Sequence, residues 1–213
     1  MPWDHAEIEG RAADFRREHA GDESPGGELA SIVQIARRAF GRSGVATAMH
    51  RGLVRDAMLL WEYDRPIILV RPGLEDDPPR LAWCIAHECG EFITATAGYR
   101  EPDVEHVANA IAAALLMPRG HFARAFGEHG FDLAALSEHF CAPQGAVALR
   151  IGEVCDVPMA LVTPSRVHRR DPLEQLPDDE LLYLLARATK LPASMLRRDL
   201  TDARRTVALA AAA

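Results

Sequence analysis

Five consecutive residues, His87-Glu88-Cys89-Gly90-Glu91, hold the densest chemistry in the chain. On an α-helix, residues four apart lie one above the other, so His87 and Glu91 can face the same point in space. An imidazole and a carboxylate so placed are two ligands for a divalent metal ion. A third ligand from another segment would complete a three-residue set and leave one position open for water. A metal lowers the pKa of such a water to about 7, and a nearby carboxylate can then accept its proton. Glu88 stands between the two ligand positions, where it can hold that water without ligating the ion. At about 100° per residue, Leu81, Ile85 and Phe92 are the expected buried stripe of this helix, with His87 and Glu91 on its flank.

The third ligand is sought where a second helix could return antiparallel to the first. The segment 92–104 is long enough to turn the chain, and Glu105 then opens the run EHVANAIAAALLMP. Small residues Ala108, Ala112 and Ala113 would allow close packing on the first helix, bringing Glu105 to the metal while Leu115 and Leu116 enter the core. Read alone, the run is equally an alanine-rich core helix whose Glu105 complements the positive helix N-terminus.

The elements that must position these groups follow from pattern. Asp4–His19 reads as a helix with Ile8, Ala12 and Phe15 on one face, and GDESPGG at 21–27 breaks it. A second helix is expected over about 28–40. MLLWEY and PIILV, separated by Asp64-Arg65-Pro66, read as two antiparallel strands joined by a tight turn. Asp76-Asp77-Pro78-Pro79 supplies a cap and the prolines of a helix start. Downstream, FDLAALSEHF and AVALRIGEV predict two short helices, MALVTPSRVHRR one or two strands, and the segment from about Asp178 a final helix before an alanine tail.

The fold class expected is α+β, a small antiparallel sheet packed on helices with further helices at the C-terminus. The expected divisions are an N-terminal helix and linker (1–27), a core (28–125), a helical pair with short strands packed on it (126–172) and a C-terminal helical extension (173–213).

At this point the chain resembles a known family. AHECGEF followed by ExxANAIAAALLMP is similar to the ImmA/IrrE zinc metallo-endopeptidases, whose two motifs read close to AHELGH and ExxANxFAAxLLMP. PIILV and LAALSEHFCAPQGAVALRIGEV fit as well, so the likeness spans about residues 28–165. It implies a thermolysin-like metallopeptidase core acting on a helix-turn-helix repressor in phage, mobile-element or stress-response circuits. It also implies His87 as first zinc ligand, Glu88 as general base and Glu105 as acidic ligand. Ile111 replaces a usual phenylalanine. The departure that matters is Glu91, where the family has histidine. One histidine with two carboxylates is a harder, more anionic set that shifts preference from Zn2+ toward Mn2+. Either an altered site binds metal, or the site has decayed into a pseudopeptidase that regulates by binding alone.

Other candidates carry less. Cys84 could serve as a soft ligand, and more often such a cysteine is a small buried hydrophobe; Cys89 points toward the packed side. Tyr99, His106 and His121 are available as oxyanion stabilisers, with nothing to choose among them. Residues 132–154 have the spacing of a helix-turn-helix, yet the second helix offers only Gln144 and Arg150 to base edges. A net charge of −7 and a pI near 5.7 also argue against direct nucleic-acid binding. The basic clusters at 166–170 and 197–205 read as solvated charge. With 48% hydrophobic and 26% charged residues, the composition is that of a globular protein and excludes wholesale disorder. No run approaches the roughly 20 apolar residues of a membrane span, the N-terminus lacks the form of a signal peptide, and the four cysteines form no CxxC pair. A cytoplasmic protein with a protein partner and no membrane is the expectation.

Overall fold

The computed structural model describes residues 4–21, 30–41, 44–47, 55–63, 65–98, 104–155, 159–162, 167–169 and 207–210. Helix α1 (His5–His19) opens where the Asp4 carboxylate accepts the Glu7 backbone N–H at 2.8 Å. It buries Ile8, Ala12 and Phe15, the face read from the sequence, and also Arg16. Helix α2 (Ile32–Phe40) begins later than expected because Ser31 adopts an extended backbone and caps it with its hydroxyl.

Three strands follow, β1 (Val45–Thr47), β2 (Ala57–Glu62) and β3 (Arg65–Val70), in the order β1-β3-β2. β2 and β3 form the expected antiparallel hairpin, registered from Ala57 opposite Val70 to Glu62 opposite Arg65. The turn sits one residue earlier than read, with Tyr63 in the left-handed region at φ 47°. The sheet is mixed rather than antiparallel throughout, because β1 pairs parallel to β3 from Val45 opposite Ile68 to Thr47 opposite Val70. Three residues carry too little alternation to be seen as a strand. Their partner β3 is central and its Ile68 is fully buried. Pro66 lies beyond the reach of β1, where its missing N–H deprives no neighbour. β2 is left at the edge.

A short 3-10 turn (Leu74–Asp76) leads into α3 (Pro78–Thr96), capped by the Asp77 carboxylate on the Arg80 N–H. Asp56 binds the guanidinium groups of both Arg71 and Arg80, tying the start of β2 to the end of β3 and to the first turn of α3. The buried stripe of α3 differs from expectation. Ala82, Ile85, Ala86, Cys89 and Ile93 are buried, while Leu81 and Phe92 are half-buried. Phe92 instead joins an aromatic cluster, its ring centroid 4.9 Å from Phe40, 5.9 Å from Trp61 and 6.4 Å from Phe15.

Helix α4 (Val104–Leu116) is buried at Val107, Ala108 and from Ile111 to Leu116, with Asn109 exposed. It crosses α3 at very short range. A Cβ added to Gly90 would stand 2.6 Å from the Ala108 carbonyl oxygen and 3.1 Å from its Cα. The far end of α4 is held by buried Arg16, whose guanidinium donates to the Leu115 carbonyl. Such a cation satisfies an acceptor that a helix terminus leaves open. Pro118 ends α4 as expected and also starts α5 (Arg119–His129), a helix the sequence pattern did not announce. Its polar composition hides the buried Phe122 and Ala125.

Helices α6 (Leu133–Phe140) and α7 (Gln144–Val154) match the two short helices expected. The chain divides into two units, Met1–Gly130 with Ala135–Pro143, and Phe131–Ala134 with Gln144–Ala213. The second unit contains α7 and a three-stranded antiparallel sheet, β4 (Met159–Val162), β5 (Val167–Arg169) and β6 (Val207–Ala210), in the order β5-β4-β6. β6 falls in the alanine-rich tail, where no strand was expected. The helix expected from Asp178 and the basic cluster 197–205 lie outside the described residues.

The crossing at Gly90 yields a prediction. Gly90→Ala introduces a methyl group against main chain that has no room to yield, so it should destabilise the fold by about 1–3 kcal/mol. Urea unfolding measures this, and a stability equal to that of the native chain would show that the helices are not in backbone contact.

Candidate metal centre

α3 presents His87 and Glu91 one turn apart, and the first turn of α4 brings Glu105 across to them. One donor atom from each of the three lies within 4.8 Å of the others. His87 Nε2 is 3.5 Å from Glu91 Oε1 and 3.5 Å from Glu105 Oε2. Three donors at about 2.0–2.2 Å from one tetrahedral ion stand roughly 3.5 Å apart, so the set fits a divalent metal in both spacing and chemistry. The remaining ring nitrogen, Nδ1, is 3.1 Å from Asn109 Oδ1, one helical turn beyond Glu105 on α4.

Glu88 is not a member of the set. It is 6% exposed and turns toward the sheet, where its Oε2 accepts the Leu59 N–H of edge strand β2 at 2.6 Å. Burial pushes its pKa up to about 7, and the field of Glu91 and a hydrogen bond shared with that carboxyl act the same way. His87 and the Leu59 amide oppose the shift without cancelling it. The Glu91 carboxyl is held below its ordinary range, first by its hydrogen bond with His87, then against burial by the His87 charge, the Glu88 bond and Arg55. For His87, burial disfavours the charged ring. The hydrogen bond to Glu91 and the charges of Glu88, Glu91 and Glu105 outweigh it and raise the pKa. Without an ion, Glu88 is thus the more easily protonated of the two neighbouring glutamates, because it is the more deeply buried.

Beside Glu91 opens a cleft of about 290 Å3 lined by Leu59, Trp61, Thr94, Ala95 and Val104. One wall is edge strand β2, the other the C-terminal half of α3 and the start of α4. The arrangement thus joins three metal-type donors, a buried carboxyl and a cleft of mixed polar and apolar lining.

Of the four residues singled out from the sequence, the structure groups the donor atoms of His87, Glu91 and Glu105, while Glu88 lies beside them with its carboxylate turned to Leu59. Cys84 is half-buried, its thiol pushed up to about 11 by burial and the nearby Asp56, and it does not join the donor group. Cys89 is fully buried. His106 is exposed on α4, His121 half-buried on α5, and Tyr99 lies outside the described residues. Arg150, one of two residues weighed for reading bases, is 2% exposed and paired with Glu153 at 3.1 Å, so it is not offered to a nucleic acid. Sequence reasoning missed two contacts. Asn109 could have been found from its place four residues after Glu105. The Leu59 amide could not, because nothing in a strand's sequence marks which N–H a distant side chain will take.

The IrrE N-terminal-like domain family, a peptidase family, matches residues 46–152. No curated protein matches the chain by sequence. Among solved structures, a Mycobacterium tuberculosis transcriptional regulator is similar in fold, with a TM-score of 0.53 and 18% identity over 78% of this chain and 55% of that one. The chain thus spans little more than half the length of that protein. Among the described residues, no helix is long and apolar enough to cross a membrane.

The pKa directions set how the metal-free protein responds to pH. Glu88 and His87 both bind protons more tightly folded than unfolded, so each contributes stability that is lost as pH rises through its folded pKa. Glu91 acts oppositely, but only in acid, below the ordinary carboxylate range. In chelator, the melting temperature should therefore fall between about pH 5 and pH 8, and Glu88→Gln should flatten that fall. An unchanged slope in the variant would remove Glu88 from the explanation.

Proposed function

The chain belongs to the IrrE N-terminal-like peptidase family, and from that premise we propose that it is a regulatory, metal-dependent endopeptidase. His87, Glu91 and Glu105 hold a divalent ion and Glu88 is the general base. The observation that carries the reading is the convergence of these three donors, from two helices, beside a buried carboxyl. An ion bound there supplies Lewis acidity, polarising a peptide carbonyl and making water acidic near neutral pH. Glu88 takes the proton of the attacking water and passes it to the leaving amine nitrogen. The Leu59 N–H holds one oxygen of that carboxyl in place. A side chain of the peptide occupies the cleft lined by Trp61, Thr94 and Val104. The partner is a helix-turn-helix repressor, and the setting is cytoplasmic. Because two of three donors are carboxylates, Mn2+ competes with Zn2+ at this site.

A second reading has its own observation. Glu91 stands where a histidine would serve, and its carboxyl is hydrogen-bonded to Glu88. A single imidazole in place of two suits zinc less well, and a scaffold without metal regulates its partner by binding alone.

Metal content and cleavage separate the two. Purified without chelator or affinity nickel, the protein should carry near one equivalent of zinc or manganese, and Glu105→Ala should lose it. Glu88→Gln should keep the metal and the fold while cleavage of a repressor substrate drops by about 10²-fold or more. Fragments produced equally fast by Glu88→Gln would defeat the mechanism. Partner binding without a cut, persisting when His87 and Glu105 are both alanine, would establish the second reading.

A further inference from the structure

The ends of α5 and α6 bring together two histidines that neither the fold nor the centre at His87 uses. His129 rides on the last turn of α5 and His139 on the last turn of α6. Both are exposed, with ring centroids 5.9 Å apart and ring planes inclined at 58°. We infer that His129 and His139 form a second metal site, which takes a divalent transition-metal ion of the Cu2+, Ni2+ or Zn2+ class through two imidazoles. It shares no residue with the centre at His87 and does not depend on the peptidase reading.

The pair is held from beneath. Phe122 of α5 is fully buried, and its ring centroid stands 5.4 Å from that of Phe140, the buried residue that ends α6. His129 follows Phe122 by seven residues, about two helical turns, so it lies on the same face of α5. His139 precedes Phe140, and its ring meets that of Phe140 edge-on at 4.6 Å. The packing that sets the two phenylalanines together therefore sets the two imidazoles together at the surface. Two imidazoles on one ion, each with its nitrogen about 2.0–2.1 Å from the metal, put their ring centres roughly 4.5–6.4 Å apart as the angle at the metal widens from a right angle to a straight line. The observed 5.9 Å falls inside that range. Exposure leaves the other positions of the ion to water. Position on the helices adds an independent preference for a cation. The last turn of a helix carries partial negative charge on its unpaired carbonyls, and here two such turns each hold one ring. Ligand type then sets selectivity: imidazole nitrogen suits Cu2+, Ni2+ and Zn2+, with Cu2+ the tightest, whereas Mn2+ prefers oxygen. A bound ion links the C-terminal ends of α5 and α6.

The test is a metal count on the full chain, which needs neither substrate nor activity. The native protein, His129→Ala and His139→Ala are stripped with chelator and titrated with Ni2+ by calorimetry. Each variant should bind about one equivalent fewer than the native chain, because the site needs both rings. His5→Ala, which removes an exposed histidine of α1, should bind as the native chain does. Titration with Mn2+ should give the same count in all four chains. Should alanine lower the melting temperature, glutamine at 129 or 139 repeats the test with size and polarity kept. An equal Ni2+ count in native and variant chains, or a loss in one variant and not in the other, overturns the site. An equivalent of Mn2+ lost together with the Ni2+ overturns the imidazole assignment. If the centre at His87 binds no Ni2+, the count falls from about one to none instead of from about two to one, so failure of that reading and failure of this one are told apart.

Discussion

The backbone contact between α3 and α4 is the constraint on which the rest depends. Gly90 lies between the site residues of α3, and its missing side chain lets the Ala108 carbonyl approach to a distance no Cβ would tolerate. That approach decides where the first turn of α4 can be, and with it the positions of Glu105 and Asn109 relative to His87. Two helices at a more ordinary separation of about 8–10 Å would leave Glu105 short of the histidine. The site is therefore assembled by packing, and the alanines of α4 serve chemistry by being small.

The remaining elements hold this crossing in place from outside. Arg16 on α1 ties the end of α4 through the Leu115 carbonyl. The rings of Phe15, Phe40, Trp61 and Phe92 bring α1, α2, α3 and β2 together near the cleft. Asp56 joins β2, β3 and the start of α3 through two arginines. β2 is thus fixed on both sides, and its Leu59 amide reaches Glu88 at a defined position. Each contact is modest by itself, since a hydrogen bond contributes on the order of 1 kcal/mol net. Their common effect is to leave the site few ways to relax.

Electrostatics then differentiate chemically equal groups. Glu88, Glu91 and Glu105 are three glutamates within one small region, but the structure treats them differently. Glu88 is buried and its pKa is raised; Glu91 faces His87 and its pKa is lowered; Glu105 is largely exposed. A buried acid beside an ionised partner is the kind of separation from which acid and base roles arise. It comes from burial depth and hydrogen-bond direction, and residue type does not specify either.

Local periodicity and capping are properties of short stretches, so they were legible in the sequence. α1, α3, α4, α6 and α7, the β2–β3 hairpin, the Asp77 cap and the breaks at 21–27 and Pro118 all follow from residues within a turn or two of each other. The helical spacing of His87 and Glu91, and the paired motifs that point to Glu105, were likewise legible. What depended on distant residues was not. The parallel pairing of β1, the polar helix α5, the strand in the alanine tail and the true buried face of α3 are each set by partners many residues away. The same holds within the site, where the Leu59 amide on Glu88 and the Asn109 amide on His87 link separate elements. By itself the sequence determined which side chains a site could be made from and on which helices they ride. Only the tertiary structure decided their separations and protonation, because those depend on how closely two backbones approach and on what that approach excludes from water.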